Sequence, residues 1–161
     1  MKGYVIESDK VAVELGEKRD TIIKRLSESQ VRYVVTFDGL EKSSNIKETI
    51  INIPDYGVEV MLEDDIVCYI KSHNNTYNII CRTNIGKTMT LQDIDNIISS
   101  IADRFGISPK DIDIRSFNLK RADAVVYIKY DDKYEVKAHL LCNLSGEVYI
   151  STLKLIASGI K

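Results

Sequence analysis

Apolar and polar residues alternate on both sides of a short acidic turn, and this pattern constrains the fold more than any other feature. Every second position is apolar in residues 57–62, and the alternation resumes in residues 66–71 after Glu63-Asp64-Asp65. A period of two is typical of half-buried strands, so the pattern predicts an antiparallel hairpin. We expect one side of the hairpin to carry Val58, Val60, Leu62, Ile66, Cys68 and Ile70, and the other side to carry Glu59, Met61, Val67 and Tyr69.

The clearest helical pattern lies in the second half of the chain. Apolar residues recur there at intervals of three and four, which predicts an amphipathic helix. We expect Thr90 and Asp93 to form a capping box at its start, and Gly106 to end it. Its predicted apolar stripe consists of Leu91, Ile94, Ile98, Ile101 and Phe105.

Each half of the chain has a helical segment followed by strand-like runs. Residues 17–28 carry Ile22, Ile23 and Leu26 at helical spacing in the first half. The order predicts an α+β fold of two tandem units, each a helix packed on an antiparallel sheet of about four strands. Polar composition places the boundary near residue 84, which gives units 1–84 and 85–161, with one continuous domain as the alternative. The strand-like runs are 31–37, 48–53, 57–62, 66–71, 112–117, 124–130, 134–142 and 147–151.

Several of these residues together resemble a known type of domain. The chain resembles the helix-plus-sheet unit of SmpA/OmlA-type domains in two groups of segments. The first group is Leu15-Gly16, Arg19-Asp20, Ile23 and Leu26, and the second is Tyr56-Gly57-Val58-Glu59-Val60 and Glu63-Asp64-Asp65-Ile66-Val67. The resemblance covers about residues 9–72. Two such units in tandem are similar to the arrangement of β-lactamase inhibitor protein. The resemblance implies a sheet that serves as a protein-binding surface, and it transfers no individual site residue.

Charge and hydropathy limit the classes of partner. The formal net charge is −2, so no global electrostatic attraction favours nucleic acid or an anionic membrane. No apolar run approaches the ~18 residues that a membrane-spanning helix requires. The first ten residues are too polar for the apolar region of a signal peptide. We therefore expect a cytoplasmic protein, or a secreted or envelope protein if a leader has been removed.

The residues that usually carry chemistry occur without the context that chemistry needs. Cys68, Cys81 and Cys142 are odd in number and widely spaced within apolar runs, so we expect them to act as small hydrophobes. Gly86-Lys87-Thr88 lacks the glycine that a phosphate-binding loop requires five positions earlier, where Cys81 stands.

Acidic pairs and histidines lead to the same conclusion. The pairs Asp93/Asp95, Asp111/Asp113 and Asp131/Asp132 fit helix starts and turns, and no histidine lies in a known nucleophile signature. The sequence therefore predicts no catalytic residue, no metal site and no cofactor, and it favours a non-enzymatic role.

After these exclusions, the second face of the predicted sheet remains as the candidate functional surface. Tyrosine and methionine are enriched in interface cores, and several of them are expected on this face. We predict a non-enzymatic protein-binding module of inhibitor, immunity or adaptor type that binds another protein or itself. The chain itself covering this face is one alternative. Another is a small-molecule or enzymatic pocket between a helix and its curved sheet, with His139 and Tyr149 as polar groups. The predicted partner-binding residues are Met61, Tyr69, Tyr127, His139 and Tyr149.

Overall fold

The computed structural model describes residues 5–7, 12–40, 45–73, 79–83, 90–118 and 123–158. They fall into two compact units, of which one comprises Val5–Asn74 and the other includes Asn75–Lys161. The predicted boundary near residue 84 and the Gly86-Lys87-Thr88 segment lie outside the described residues. The helices are α1 (Arg19–Glu28) and α2 (Leu91–Phe105). The strands are β1 (Val5–Glu7), β2 (Ala12–Glu14), β3 (Val34–Leu40), β4 (Lys47–Ile53), β5 (Val58–Glu63), β6 (Ile66–Ser72), β7 (Ile79–Arg82), β8 (Ile112–Asn118), β9 (Asp123–Lys129), β10 (Tyr134–Cys142) and β11 (Glu147–Ala157).

The fold is α+β with antiparallel pairing, but the prediction of two tandem units, each with its own four-stranded sheet, is wrong. Within the described residues, β1 and β2 form a separate hairpin before α1, β3 to β6 pair with one another in the first unit, and β7 to β11 pair with one another in the second unit. β7 precedes α2 and pairs with β11, so the second unit contributes five strands rather than four. Hydropathy reports which face of a strand is buried, but it does not report which strand edges pair.

In the first unit, β3, β4, β5 and β6 lie side by side in that order. The backbone nitrogen of Arg19, at the start of α1, donates to the carbonyl of Asp65 at 2.9 Å, and the Arg19 side chain reaches Asp38 of β3 at 3.3 Å. We call the face of this sheet that carries Asp38 the inner face. The core consists of Val13 of β2, Leu15, Ile22 and Leu26 of α1, and Val31, with Ile51, Ile53, Val58, Val60, Leu62, Val67 and Ile70 of the sheet.

The acidic turn of the predicted hairpin is confirmed. Asp64 and Asp65 connect β5 to β6, and their φ angles are 49° and 65°. Two central residues with positive φ are typical of a type I′ turn, whose twist matches that of the flanking strands. Aspartate adopts this conformation more readily than most residues. The local sequence is therefore sufficient to define the turn.

The residues that follow this turn do not all face the predicted way, because β6 contains a bulge. Met61 pairs with Tyr69 but Leu62 pairs with Val67, so Cys68 is one extra residue on β6. An extra residue reverses the alternation of a strand. Val67 is consequently fully buried on the inner face, although it was predicted to lie on the other side with Met61 and Tyr69. Ile66, predicted to share a side with Leu62, is 37% exposed on the outer face.

In the second unit the strand order is β7, β11, β10, β9 and β8, and α2 contacts β7. The inner face of this sheet is the one that carries the buried alternating residues of β10. Full burial of one large apolar side chain contributes about 1.5–3 kcal/mol relative to exposure. The buried apolar side chains are Ile97, Ile101, Ala102 and Phe105 of α2, with Ile112, Ala124, Val126, Ile128, Val136, Ala138, Leu140, Val148, Ile150 and Leu153 of the strands.

The caps of α2 are confirmed, whereas its buried stripe differs from the prediction. The Thr90 hydroxyl accepts from the Asp93 backbone nitrogen, and the Asp93 carboxylate accepts from the Thr90 backbone nitrogen at 3.0 Å. Gly106 ends the helix with φ 62°. Leu91 was predicted within the stripe but is 80% exposed, whereas Asp93 in the same helical turn is buried. Ile97, which was not in the predicted stripe, is buried.

The side chain of Asp38 connects β3 to other elements of the first unit, and its pKa reports on these contacts. The buried Thr49 hydroxyl donates to Asp38 Oδ1 at 3.0 Å. This hydrogen bond, followed by the interaction with Arg19, holds the pKa of Asp38 below its ordinary value. A carboxyl with a depressed pKa stabilises the fold above its unfolded-state pKa, and this stabilisation is lost as pH falls through the folded-state pKa.

We expect Thr49→Val to move the pKa of Asp38 back toward the ordinary value, because the largest cause of the depression is removed. A side-chain carboxyl titration followed by carbon-13 NMR measures this shift. Thr36→Val is the matched control, because Thr36 lies on the same strand as Asp38 and accepts from Asn52 instead. An unchanged Asp38 titration in Thr49→Val would contradict the assignment.

Candidate functional site

The outer face of the first unit carries one large apolar side chain from each of its four strands. Phe37 of β3 pairs with Ile50 of β4, Ile50 with Met61 of β5, and Met61 with Tyr69 of β6. Directly paired residues point to the same side of a sheet. Since neighbouring strands lie about 4.8 Å apart, the four side chains span about 14 Å. We call Phe37, Ile50, Met61 and Tyr69 the apolar row.

The apolar row remains partly accessible to solvent. Phe37 is 42% exposed, and Ile50, Met61 and Tyr69 are half-buried. Burial raises the pKa of the Tyr69 phenol, and the Glu59 carboxylate adds to the rise. A partly desolvated tyrosine beside methionine and phenylalanine is a combination that protein-binding surfaces favour. The sequence prediction that placed Met61 and Tyr69 on one surface therefore has a defined geometry, in which the two residues are direct cross-strand neighbours.

Most of the residues that flank the apolar row are polar, although Ile66 ends one flank and Val34 ends the other, and the two flanks differ in charge. On one flank, Glu48 of β4 lies directly opposite Glu63 of β5. On the other flank, Asn52 lies opposite Glu59, and Glu59 lies opposite Lys71. The first flank thus carries two like charges, whereas opposite charges face each other on the second. An apolar centre with a polar border is the usual anatomy of an interface.

The other predicted site residues lie on the outer face of the second unit, opposite the inner face defined above. Tyr149 of β11 pairs with Leu141 of β10 and with Ile79 of β7. His139 of β10 lies between its partners Val125 and Thr152. Ile79 is 42% exposed, whereas Tyr149, Leu141 and His139 are half-buried.

Tyr127 is on the same face but is not available as an exposed anchor. Its exposed fraction is 9%, because the guanidinium of Arg115 lies 3.9 Å from the centre of its ring. Arg115 is held in place by Asp113, with Nε and Oδ2 2.7 Å apart, and by Glu135 at 3.4 Å. The hydrogen bond to Asp113 raises the pKa of Arg115, so the guanidinium keeps its charge. Arg115 is the extra residue of a bulge in β8, and the bulge aims its side chain across the tyrosine.

His139 belongs to a polar network with Asp123 and Ser151. Its Nε2 lies 3.3 Å from Asp123 Oδ2, and its Nδ1 lies 3.2 Å from Ser151 Oγ. Ser151 is the extra residue of a bulge in β11, and its hydroxyl donates to the His139 carbonyl at 3.1 Å. The Ser151 side chain is therefore engaged with backbone and is buried at 8% exposure. A hydrolytic nucleophile must reach its substrate, so this geometry fits a structural network that satisfies the irregular backbone.

Two concave regions of the described residues are bordered mainly by charged residues. One, of about 410 Å³, lies in the second unit beside Arg115 and is bordered by Lys110, Asp111, Asp113, Lys129, Asp131, Asp132 and Glu135. The other, of about 250 Å³, lies in the first unit and is bordered by Lys18, Arg19, Asp20, Asp64 and Asp65. Small-molecule sites are mostly apolar with a few placed polar groups, whereas charged residues predominate around both of these regions. His139 and Tyr149 border neither region and lie on the outer face, away from the buried side of the sheet.

The cysteines are free thiols. Burial raises the pKa of both Cys81 and Cys142, which keeps these thiols protonated at neutral pH. Among the residues that the structure describes, no three histidine, cysteine, aspartate or glutamate side chains are placed to hold a metal ion. Within the same ranges, neither helix has the length and apolar character that crossing a bilayer requires.

The sequence alone did not identify two members of the apolar row, Phe37 and Ile50. Both lie in predicted strands, but their membership of the row follows from register rather than from residue type. The register of β3 depends on a bulge, because Val35 pairs with Ile51 while Phe37 pairs with Ile50 and leaves Thr36 as an extra residue. No local signal in the sequence marks this position.

Comparison with known proteins gives no relative. No protein-family model matches the chain, and neither a curated protein nor a solved structure shows significant similarity to it. The resemblance to SmpA/OmlA-type domains therefore stays a prediction from the sequence.

Proposed function

We propose that this chain is a non-enzymatic protein-binding module that captures a partner on the apolar row of its first unit. The observation that supports this proposal is the alignment of Phe37, Ile50, Met61 and Tyr69 across four strands on a partly accessible face. An inhibitor, immunity or adaptor role fits such a surface, because a sheet face can occlude the site of a partner without any chemistry of its own.

The apolar row is better suited to this role than the outer face of the second unit. Its four large side chains are contiguous, and a cluster of this kind is what binding hot spots require. In the second unit, Arg115 covers Tyr127, and His139 is engaged with Asp123 and Ser151. Those side chains would have to lose existing interactions before they could bind a partner.

The experiment is site-specific photo-crosslinking in the native host, followed by binding with the purified partner. A photoreactive residue at position 69 should crosslink to one partner, which mass spectrometry identifies. Met61→Ala/Tyr69→Ala should then weaken binding of the purified partner at least tenfold, because truncation of a hot-spot residue costs about 2 kcal/mol or more.

Leu91→Ala/Leu144→Ala is the matched control. It also removes two apolar side chains, which are exposed and lie in the second unit. Circular dichroism of each variant separates loss of binding from loss of folding. Undiminished binding by a folded Met61→Ala/Tyr69→Ala variant would contradict the proposal.

A further inference from the structure

The charges beside the apolar row point to the chemistry of the partner. We infer that the partner presents lysine or arginine next to its apolar side chains, and that these basic groups bind Glu48 and Glu63. The inference rests on the proposed function, because it concerns the same face of the first unit.

Glu48 and Glu63 form an uncompensated pair of like charges. They are directly opposite each other on β4 and β5, where side chains are about 5 Å apart. Like charges at this position repel each other and destabilise the sheet. Within the described residues neither carboxylate takes part in an ion pair. A cation supplied by a partner would relieve the repulsion.

The position of this pair fixes the orientation of the partner. Glu48 is two residues from Ile50, and Glu63 is two residues from Met61, so the carboxylates lie about 7 Å to one side of the apolar row. The opposite flank has Glu59 facing Lys71 and needs no added charge. In the neighbouring turn, the charge of Asp65 is already compensated, because Lys47 Nζ lies 3.1 Å from Asp65 Oδ1. The basic residues of the partner should therefore lie on the Glu48/Glu63 flank alone.

The same charges argue against a second copy of this chain as the partner that binds the apolar row. A face that binds itself must be self-complementary. Two copies meeting through the apolar row would add acidic borders to one another, with Lys71 as the one basic residue among the flank positions described above. Electrostatic complementarity between unlike surfaces is the more favourable arrangement.

The test uses two synthetic peptides, one alternating leucine with lysine and one alternating leucine with glutamate. Fluorescence anisotropy at low ionic strength should show that the wild-type chain binds the leucine/lysine peptide at least tenfold more tightly than the leucine/glutamate peptide. Glu48→Lys/Glu63→Lys should invert this preference. Added salt should weaken the wild-type complex, because the contacts involve border charges.

The control for charge alone is Glu28→Lys/Asp95→Lys, which changes the net charge equally at two exposed helical positions. It should keep the wild-type preference. An equal loss of preference in this control, a preference unchanged in Glu48→Lys/Glu63→Lys, or failure of the wild-type chain to bind the leucine/lysine peptide would each overturn the inference.

These outcomes are distinguishable from failure of the proposed function. Met61→Ala/Tyr69→Ala removes apolar contacts and leaves the acidic pair in place. If this variant loses the crosslinked native partner while Glu48→Lys/Glu63→Lys retains it, the apolar row binds a partner but the inferred basic chemistry is wrong. Retention of the native partner by Met61→Ala/Tyr69→Ala contradicts the proposed function itself.

Discussion

Gly146→Ala is expected to destabilise the second unit by about 2–5 kcal/mol, from steric overlap together with an unfavourable φ. Gly146 has φ 79°, and a Cβ built on it would lie 2.4 Å from the carbonyl oxygen of Thr83. That oxygen belongs to backbone and cannot rotate away. The Gly146 carbonyl also accepts from the Thr83 backbone nitrogen at 2.8 Å, so the overlap disturbs the junction between β7 and the turn before β11. Urea denaturation followed by circular dichroism measures the change in the free energy of unfolding.

Gly106→Ala separates the effect of steric overlap from the effect of the unfavourable φ. Gly106 has φ 62°, but no atom lies within 4 Å of a Cβ built on it. Its substitution should cost only the backbone penalty of about 1–2 kcal/mol. If Gly146→Ala were no more destabilising than Gly106→Ala, the close approach of Thr83 would have no energetic weight.

Phe105→Ala is expected to destabilise the second unit by about 3–5 kcal/mol. Phe105 lies in the last turn of α2, is 1% exposed and is the largest fully buried side chain among the described residues. Its truncation removes buried apolar area and leaves a cavity that surrounding side chains fill only in part. Since native stabilities are about 5–15 kcal/mol, this loss is a large fraction of the total free energy of unfolding.

Leu91→Ala on the same helix provides the comparison. Leu91 is 80% exposed, so its truncation should change stability by less than about 0.5 kcal/mol. Thermal unfolding of the two variants measures the difference in one experiment. A similar melting temperature for both would show that α2 is not packed as the structure describes.

Features set by neighbouring residues were predictable from the sequence. The turn at Asp64 and Asp65 and the capping box of Thr90 and Asp93 depend on residues within three positions of each other. Their backbone preferences and hydrogen bonds are local, so the residue types define them. The same reasoning identified both helices and the antiparallel pairing of β5 with β6.

Features set by distant pairing were not predictable. The bulge at Cys68 reverses the side on which Val67 lies, and the bulge at Arg115 brings a guanidinium over Tyr127. Each depends on the partner strand, which hydropathy does not specify. The candidate site likewise combines residues that the local pattern predicted with residues that only the strand pairing identifies. Met61 and Tyr69 were found from their alternation, whereas Phe37 and Ile50 join them only through the register of four strands.

The bulge at Thr36 has a consequence for the behaviour of the protein at high concentration. β3 ends the described strand order and exposes Val34, Val35, Phe37 and Leu40, which makes it a template on which fibrils could grow. Thr36 interrupts its regular hydrogen-bonding pattern, and Asp38 places a charge where a stacked chain would have to bury it. The strand can therefore place Phe37 on the outer face while resisting the addition of further strands at its edge.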